Sequence, residues 1–380
     1  MKSILQKDLW SITSFLENKN YKFNKENILT QLPEKFIDEA IEAISSWDNY
    51  APTPLIKLNK LNDELKLKNI YYKDEDKRFE LKSFKALGGA FAVYKIASEK
   101  KNITVSTATA GNHGRSVAWG AQRLGLKCKI FISEFVSESR AEAMRNLDAE
   151  VIRVKGNYDN SLKECIEQSN KNNWEIVQDV SWEGYKEVPK LIMAGYTIMV
   201  KEIIDEINKN SITHVFLQAG VGGMAAAMIA GFTKLSENIP QFIIIEPENA
   251  DCVFQSIKNN KPTTVDIKKE TVMGGMSCGD VSSIAWEILK NSANYCLTIP
   301  DEAISTAVAL LAEKRLSNEK IIGGECAVPG VIALIGSFNN KEYLDKLKLN
   351  SESNVLLFGC EGLTDDAMYQ KLLNDGLQKI

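Results

Sequence analysis

At 380 residues, 44% of them hydrophobic and 25% charged, the chain has the make-up of an ordinary soluble protein with room for two domains and ample cores. Forty-six basic against 50 acidic residues leave a formal charge of -4. With no basic block and no arginine stripe interleaved with aromatics, nothing recruits nucleic acid or an acidic membrane, and small molecules are the expected partners.

Lys2, Lys7, Asp8 and Glu17 break any apolar core at the start of the chain, which reads against a signal peptide. The longest apolar run, Ala219 to Phe232, is 14 residues, short for a membrane span and suited to a buried helix. A cytoplasmic protein is expected. Seven cysteines, odd in number and without a Cys-x-x-Cys pair, argue against a zinc site or a secreted disulfide framework. Whether Cys252 and Cys278, both in predicted loops, pair is left open. Only His113 and His214 are available as imidazole bases, so chemistry must come from other groups.

Residues 1 to 50 read as polar helical material ending near Trp47, and Pro52-Thr53-Pro54 then imposes an extended entry to the core. From there short β-branched or aromatic runs alternate with helix-length amphipathic segments. The runs are Ile70 to Lys73, Ile103 to Thr107, Cys128 to Ile132, Glu150 to Val154, Glu175 to Gln178, His214 to Leu217, Phe242 to Glu246 and Val355 to Phe358. That rhythm predicts a parallel α/β architecture. There is no internal repeat and no low-complexity linker, so two domains would have to share the chain by crossing over.

Between the first two strands lies Arg78 to Ala90, with Lys85 set among bulky apolar neighbours at the mouth of a helix. A lysine so placed loses hydration, which disfavours its charged form and leaves an amine able to attack a carbonyl. Taken singly, it is equally one lysine among many on a solvated face. Ser83 sits where a cap belongs, Phe84 and Leu87 share a core face, and Gly88-Gly89 brings backbones close.

Three glycine-bearing turns follow strands. Thr107 to Gly114, containing Thr109, Ala110, Gly111, Asn112 and His113, offers helix-start amides and hydroxyls that suit a carboxylate, or is an ordinary strand-to-helix turn with capping threonines. Gln218 to Ala225 opens the glycine-alanine helix, and the amides of Gly220, Val221, Gly222, Gly223 and Met224 can cradle a phosphate. Read as a bare pattern, this second turn is also G-x-G-x-x-A. With Glu246 ending the next strand where a ribose-binding acid belongs, an NAD-binding Rossmann enzyme is a competing reading. Gly359 to Asp365 offers the Cys360 thiol and the Thr364 hydroxyl, and alone says little.

Together these residues resemble the fold type II pyridoxal-phosphate enzymes, the group of serine and threonine dehydratases and the tryptophan synthase β-subunit. Ser83-Phe84-Lys85 is similar to their Schiff-base lysine motif, Ala110 to His113 to their asparagine loop, and Gly220 to Met224 to their phosphate loop. Within the group the wording is similar to the diaminopropionate ammonia-lyase family from about residue 50 onward. It runs through Tyr72-Lys73-Asp74-Glu75, Arg78-Phe79, Lys85 to Ala90, Gln178-Asp179, Trp182 to Tyr185, Gln218 to Gly222, Glu246-Pro247, Glu361-Gly362 and Thr364-Asp365.

The resemblance implies two open, twisted, mostly parallel sheets flanked by helices. A larger domain of residues 1 to 92 and 198 to 380 would carry both Lys85 and the phosphate loop, and a smaller domain of residues 93 to 197 would be inserted in it. It also implies pyridoxal 5'-phosphate, a small amino-acid substrate and a homodimer. Lys85 would hold the cofactor and act as base, with Phe84 beside it. Asn112 would bond the ring oxygen, Gly220 to Met224 the phosphate, and Cys360 or Thr364 the ring nitrogen. Ser83, Thr109, Ala110, Gly111 and His113 would surround the substrate carboxylate. Asp179 either pairs with a second substrate ammonium or caps a helix. The implied reaction converts 2,3-diaminopropionate to pyruvate and ammonia; a serine or threonine dehydratase, or a non-catalytic cofactor-binding protein, are the alternatives. The family usually carries an aspartate at the position of Ala110, thought to act as base for the D-enantiomer, so a preference for the L-enantiomer is expected.

Overall fold

The computed structural model describes residues 9–109, 111–207 and 211–380; Ala110 lies outside them. Among the described residues eleven strands form in chain order: β1 Ser14–Glu17, β2 Leu55–Lys57, β3 Asn69–Asp74, β4 Thr104–Ala108, β5 Lys127–Ser133, β6 Glu150–Val154, β7 Glu175–Ile176, β8 His214–Gln218, β9 Gln241–Pro247, β10 Tyr295–Ile299 and β11 Asn354–Gly359. They divide into two sheets, one in each of two compact units.

The first unit, from Met1–Gln31, Pro52–Lys77 and Met199–Ile380, holds a seven-stranded sheet in the order β1-β10-β9-β8-β11-β3-β2. Its interior pairs are parallel, and only the edge strands β1 and β2 run antiparallel to their neighbours. Strands covered on both faces need continuous apolar runs, and β8, β9 and β11 supply them in Val215 to Leu217, Phe242 to Ile245 and Val355 to Phe358, all buried. The helices Gly223–Leu235 and Pro329–Phe338 are buried along nearly their whole lengths, and the second packs on β8, β9, β10 and β11. Within this unit Lys73, at the end of β3, forms a fully buried ion pair with Glu202 (2.6 Å) and donates to the carbonyl of Thr53 (2.6 Å).

The second unit, Leu32–Ala51 and Arg78–Ile198, contains the all-parallel sheet β6-β5-β4-β7. Ala108, Phe131 and Cys165 form its buried centre, with Ile152, Val154, Leu162 and Trp174 packed around them. The helix Lys85–Glu99 packs against the helices Asn112–Arg123, Glu187–Tyr196 and Glu34–Ser45. Its approach to Glu187–Tyr196 needs two glycines: a Cβ on Gly195 would sit 2.6 Å from the carbonyl of Leu87, and one on Gly88 2.4 Å from the Tyr196 ring.

This packing moves the expected boundaries. The first crossing falls after Lys77 and not after residue 92, and residues 32 to 51 join the second unit, because the helix opened by Lys85 buries its apolar face against helices of that unit. Lys85 and the 220 to 224 loop therefore belong to different units. In the N-terminal stretch, expected to be helical, the first element among the described residues is strand β1, whose Ser14 to Glu17 pair with Tyr295 to Thr298 of β10. Cys252, placed in a loop by sequence, opens the helix Cys252–Asn259; it and Cys278 form no disulfide.

Candidate active site

In the second unit Lys85 is the first residue of its helix, and that helix start is held from outside. Lys85 N–H donates to Ser83 Oγ (3.3 Å), while Ser116 Oγ accepts from Ala90 N–H (3.1 Å) and donates to the Lys85 carbonyl (2.5 Å). The amine lies 5.4 Å from the centre of the Phe84 ring and 5.8 Å from that of Tyr196. It contacts Asp179 Oδ2 at 2.5 Å. That contact corrects the sequence reading of a lysine neutralised by apolar neighbours, since a carboxylate in contact favours the ammonium form. Burial alone would raise the Asp179 carboxyl, but the adjoining His113 and Lys85 together outweigh it and hold the group well below the usual carboxylate range.

Asp179 is fixed by its neighbours in the chain. Gln178 spans the gap to β4: its side-chain oxygen accepts from Thr107 Oγ1 (2.8 Å) and Ala108 N–H (3.1 Å), and its amide nitrogen donates to the Ala108 carbonyl (2.9 Å). The His113 ring donates from Nε2 to the carbonyl of Val177 (2.8 Å) and sets Nδ1 3.7 Å from Asp179. Burial lowers the pKa of that ring and keeps it neutral. Thr109 Oγ1 accepts from Gly111 N–H (3.1 Å), and Asn112 begins the helix Asn112–Arg123. Lys85, Asp179 and the His113 ring are thus brought together. The sequence reading used only the amide of His113 and did not single out Gln178, Ser116 or Tyr196.

In the first unit β8 and β11 are parallel neighbours, so the turns after them emerge side by side. Gln218 ties them: its side-chain nitrogen donates to the carbonyls of Phe358 (2.7 Å) and Cys326 (2.9 Å). Gly222 caps the helix Gly223–Leu235 with φ +86°, and a Cβ there would lie 2.8 Å from Leu289. Among the described residues, the backbone amides of Gly220, Val221, Gly222 and Gly223 make no hydrogen bond to another backbone group, as expected of donors at a helix start. On the adjoining turn Cys360 is buried and donates to the Cys326 carbonyl (3.1 Å), and Thr364 is half-buried. Asp76 grips this turn by accepting from Leu363 N–H (3.3 Å).

Glu246 decides against the dinucleotide reading. Its two oxygens accept from the N–H groups of Val253 (2.8 Å) and Phe254 (2.7 Å), so the carboxyl caps the helix after β9 and is fully buried. Burial pushes its pKa up to about 8. A group so engaged cannot receive a ribose hydroxyl.

A family model described as "Pyridoxal-phosphate dependent enzyme" matches residues 47–360. This chain belongs to the pyridoxal-phosphate dependent enzymes. It is 34% identical over 351 residues to the diaminopropionate ammonia-lyase of Escherichia coli strain K12, covering 86% of this chain and 88% of the relative. The corresponding enzyme of Salmonella typhimurium strain LT2 is also 34% identical, over 360 residues, with 86% and 89% covered. A crystal structure of the Escherichia coli diaminopropionate ammonia lyase, in complex with an aminoacrylate-PLP azomethine reaction intermediate, superposes with a TM-score of 0.89 at 31% identity over 97% of this chain and 98% of that one. The fold is that of the type II pyridoxal-phosphate enzymes, with parallel sheets flanked by helices.

The residues present fit the cofactor of a pyridoxal-phosphate dependent enzyme. A phosphate needs several N–H donors that have no internal partner, and the Gly220 to Gly223 amides at a helix start are such donors. A cofactor aldehyde needs a primary amine with access, and the Lys85 side chain is one quarter exposed. A pyridine nitrogen needs a polar group at the end of a buried strand, where Cys360 stands.

Proposed function

We propose that the protein is a carbon-nitrogen lyase that converts 2,3-diaminopropionate to pyruvate and two molecules of ammonia. The observation that carries this reading is the 2.5 Å contact of Asp179 with Lys85, in a chain 34% identical to diaminopropionate ammonia-lyases over most of its length. A half-buried carboxylate kept ionised by neighbouring positive charge is a ready receptor for a second ammonium group. Serine and threonine carry no second ammonium, so for a dehydratase that charge would have no counterpart in the substrate.

Lys85 would hold pyridoxal phosphate through its amine, with Phe84 alongside. The amides of Gly220, Val221, Gly222, Gly223 and Met224 would hold the phosphate, Asn112 the ring oxygen, and Cys360 or Thr364 the ring nitrogen. When bound, the cofactor supplies the electron sink that acidifies the substrate's Cα proton. A neutral thiol or hydroxyl at the ring nitrogen leaves that sink weaker than a carboxylate partner would, which favours expelling a leaving group from C3. Ser83, Thr109 and the Gly111 to His113 amides orient the substrate carboxylate, and Lys85 takes the Cα proton. Asp179 holds the C3 ammonium until the C–N bond breaks. Addition of one water then gives pyruvate and the second ammonia.

Lys85 serves one face of the substrate, and a methyl group at Ala110 can supply no base to the other, so the L-enantiomer is the preferred substrate. We read the working form as a cytoplasmic homodimer, which sedimentation of the purified protein tests as to oligomeric state. Pyruvate release from a panel of β-substituted L- and D-amino acids tests the activity. L-2,3-diaminopropionate should be fastest; higher kcat/KM on serine or threonine would overturn the assignment.

A further inference from the structure

Tyr196 is 2% exposed, and the polar side chain its hydroxyl interacts with is that of Lys85. Its ring packs on Phe84 with centroids 4.7 Å apart and stands 5.8 Å from the Lys85 amine. The second unit is built to bring it there. Gly195 lets the helix Glu187–Tyr196 reach the Leu87 carbonyl, and Gly88 leaves the space the Tyr196 ring occupies one turn above Lys85. A buried hydroxyl on a ring that two glycines let pack beside a reactive amine has that amine for its partner.

We propose that Tyr196 is a positioning residue for Lys85: when Asp179 gives up the Lys85 amine, the Tyr196 hydroxyl donates to the amine in its neutral form and holds it ready to act as base. The inference rests on the functional reading above, in which a substrate ammonium competes with Lys85 for Asp179. The two partners suit opposite forms of the amine. An ionised carboxylate only accepts, and so binds the ammonium; a protonated phenol donates to a nitrogen lone pair. Burial raises the Tyr196 pKa and keeps its proton on the oxygen. The titratable groups facing Lys85 are Asp179, His113 behind it, and Tyr196. Glu39, on the helix Glu34–Ser45, is taken up by Lys95 further along.

The test titrates Lys85 in the cofactor-free protein, by competitive acylation with acetic anhydride across a pH series and mass spectrometry of the Lys85 peptide. Tyr196→Phe keeps the ring and removes the donor to the neutral amine, so the midpoint should rise by about half to one pH unit. Site-specific 3-fluorotyrosine, a stronger donor of nearly the same shape, should lower it. The acidic limb of kcat/KM on L-2,3-diaminopropionate should move in the same direction as the midpoint for each protein. An unchanged or lowered midpoint in a folded Tyr196→Phe protein would overturn the proposal. If that variant does not fold, an unchanged midpoint in the fluorotyrosine protein overturns it. Midpoints that move as expected in a protein releasing no pyruvate would leave the Tyr196 pairing standing and sink the functional reading instead.

Discussion

Lys85 was legible from its neighbours because the motif around it is local: a cap, an apolar face and a glycine pair lie within six positions of it. Its electrostatic partner was not, since the 2.5 Å contact with Asp179 joins residues 94 positions apart and depends on how Gln178 stitches the end of β7 to β4. Lys85→Ala should abolish turnover and remove the borohydride-fixable label from the Lys85 peptide, read by absorbance and mass spectrometry. A label retained on another lysine would displace Lys85 from its role. At position 110 the expectation is one of handedness. A base acts only from within hydrogen-bond reach on the face it occupies, so Ala110→Asp should raise kcat/KM for D-2,3-diaminopropionate well above that of the parent. Equal rates on both enantiomers in the parent would show that another group already serves the second face.

At the scale of elements, the eight strands expected from apolar runs all form, and those buried on both faces, such as β8, β9 and β11, must be written as continuous runs. Three strands of the seven-stranded sheet escaped the sequence reading, the edge strands β1 and β2 and the interior strand β10. β1 is four residues long and half-covered at most positions, and β2 is only three residues long, so neither displays a run. β3 ends in a feature that composition hides, the acidic series Asp74, Glu75 and Asp76, all buried. Burial, aided by the neighbouring carboxylates, pushes the Asp74 pKa up to about 6. The folded chain then holds a proton that the unfolded chain has lost between about pH 4 and 6, so stability falls as pH rises through that window. Asp74→Asn keeps the acceptor for the Asp76 amide (3.1 Å) and should flatten this slope. It should gain about 2 to 3 kcal/mol above pH 6 in urea unfolding. A slope unchanged in the variant would assign the pH dependence to other groups.

For the whole molecule, the α/β class and the crossing-over of two units followed from the alternation of strands and helices, whereas the boundaries did not. A boundary is set by which helices bury against which, and the apolar face of Lys85–Glu99 carries no mark of its partner in its own sequence. The buried pair Lys73 and Glu202 shows the same long reach, tying the end of β3 to the helix Ile198–Glu206 through a contact no local pattern announces. Removing one member of such a pair leaves an uncompensated buried charge, so Lys73→Met should cost about 3 to 5 kcal/mol, and Lys73→Met with Glu202→Leu much less. Equal losses in the single and double variants would mean that packing, not charge, governs the site.

Asp179, in the function proposed, makes this enzyme a reader of diamino substrates. The most direct measurement is the ratio of kcat/KM for L-2,3-diaminopropionate to that for L-serine, in the parent and in Asp179→Asn. A buried hydrogen bond to a charged group is worth about 1.5 to 3 kcal/mol, so the ratio should fall about ten- to a hundredfold in the variant. Equal losses on both substrates, leaving the ratio unchanged, would contradict the account.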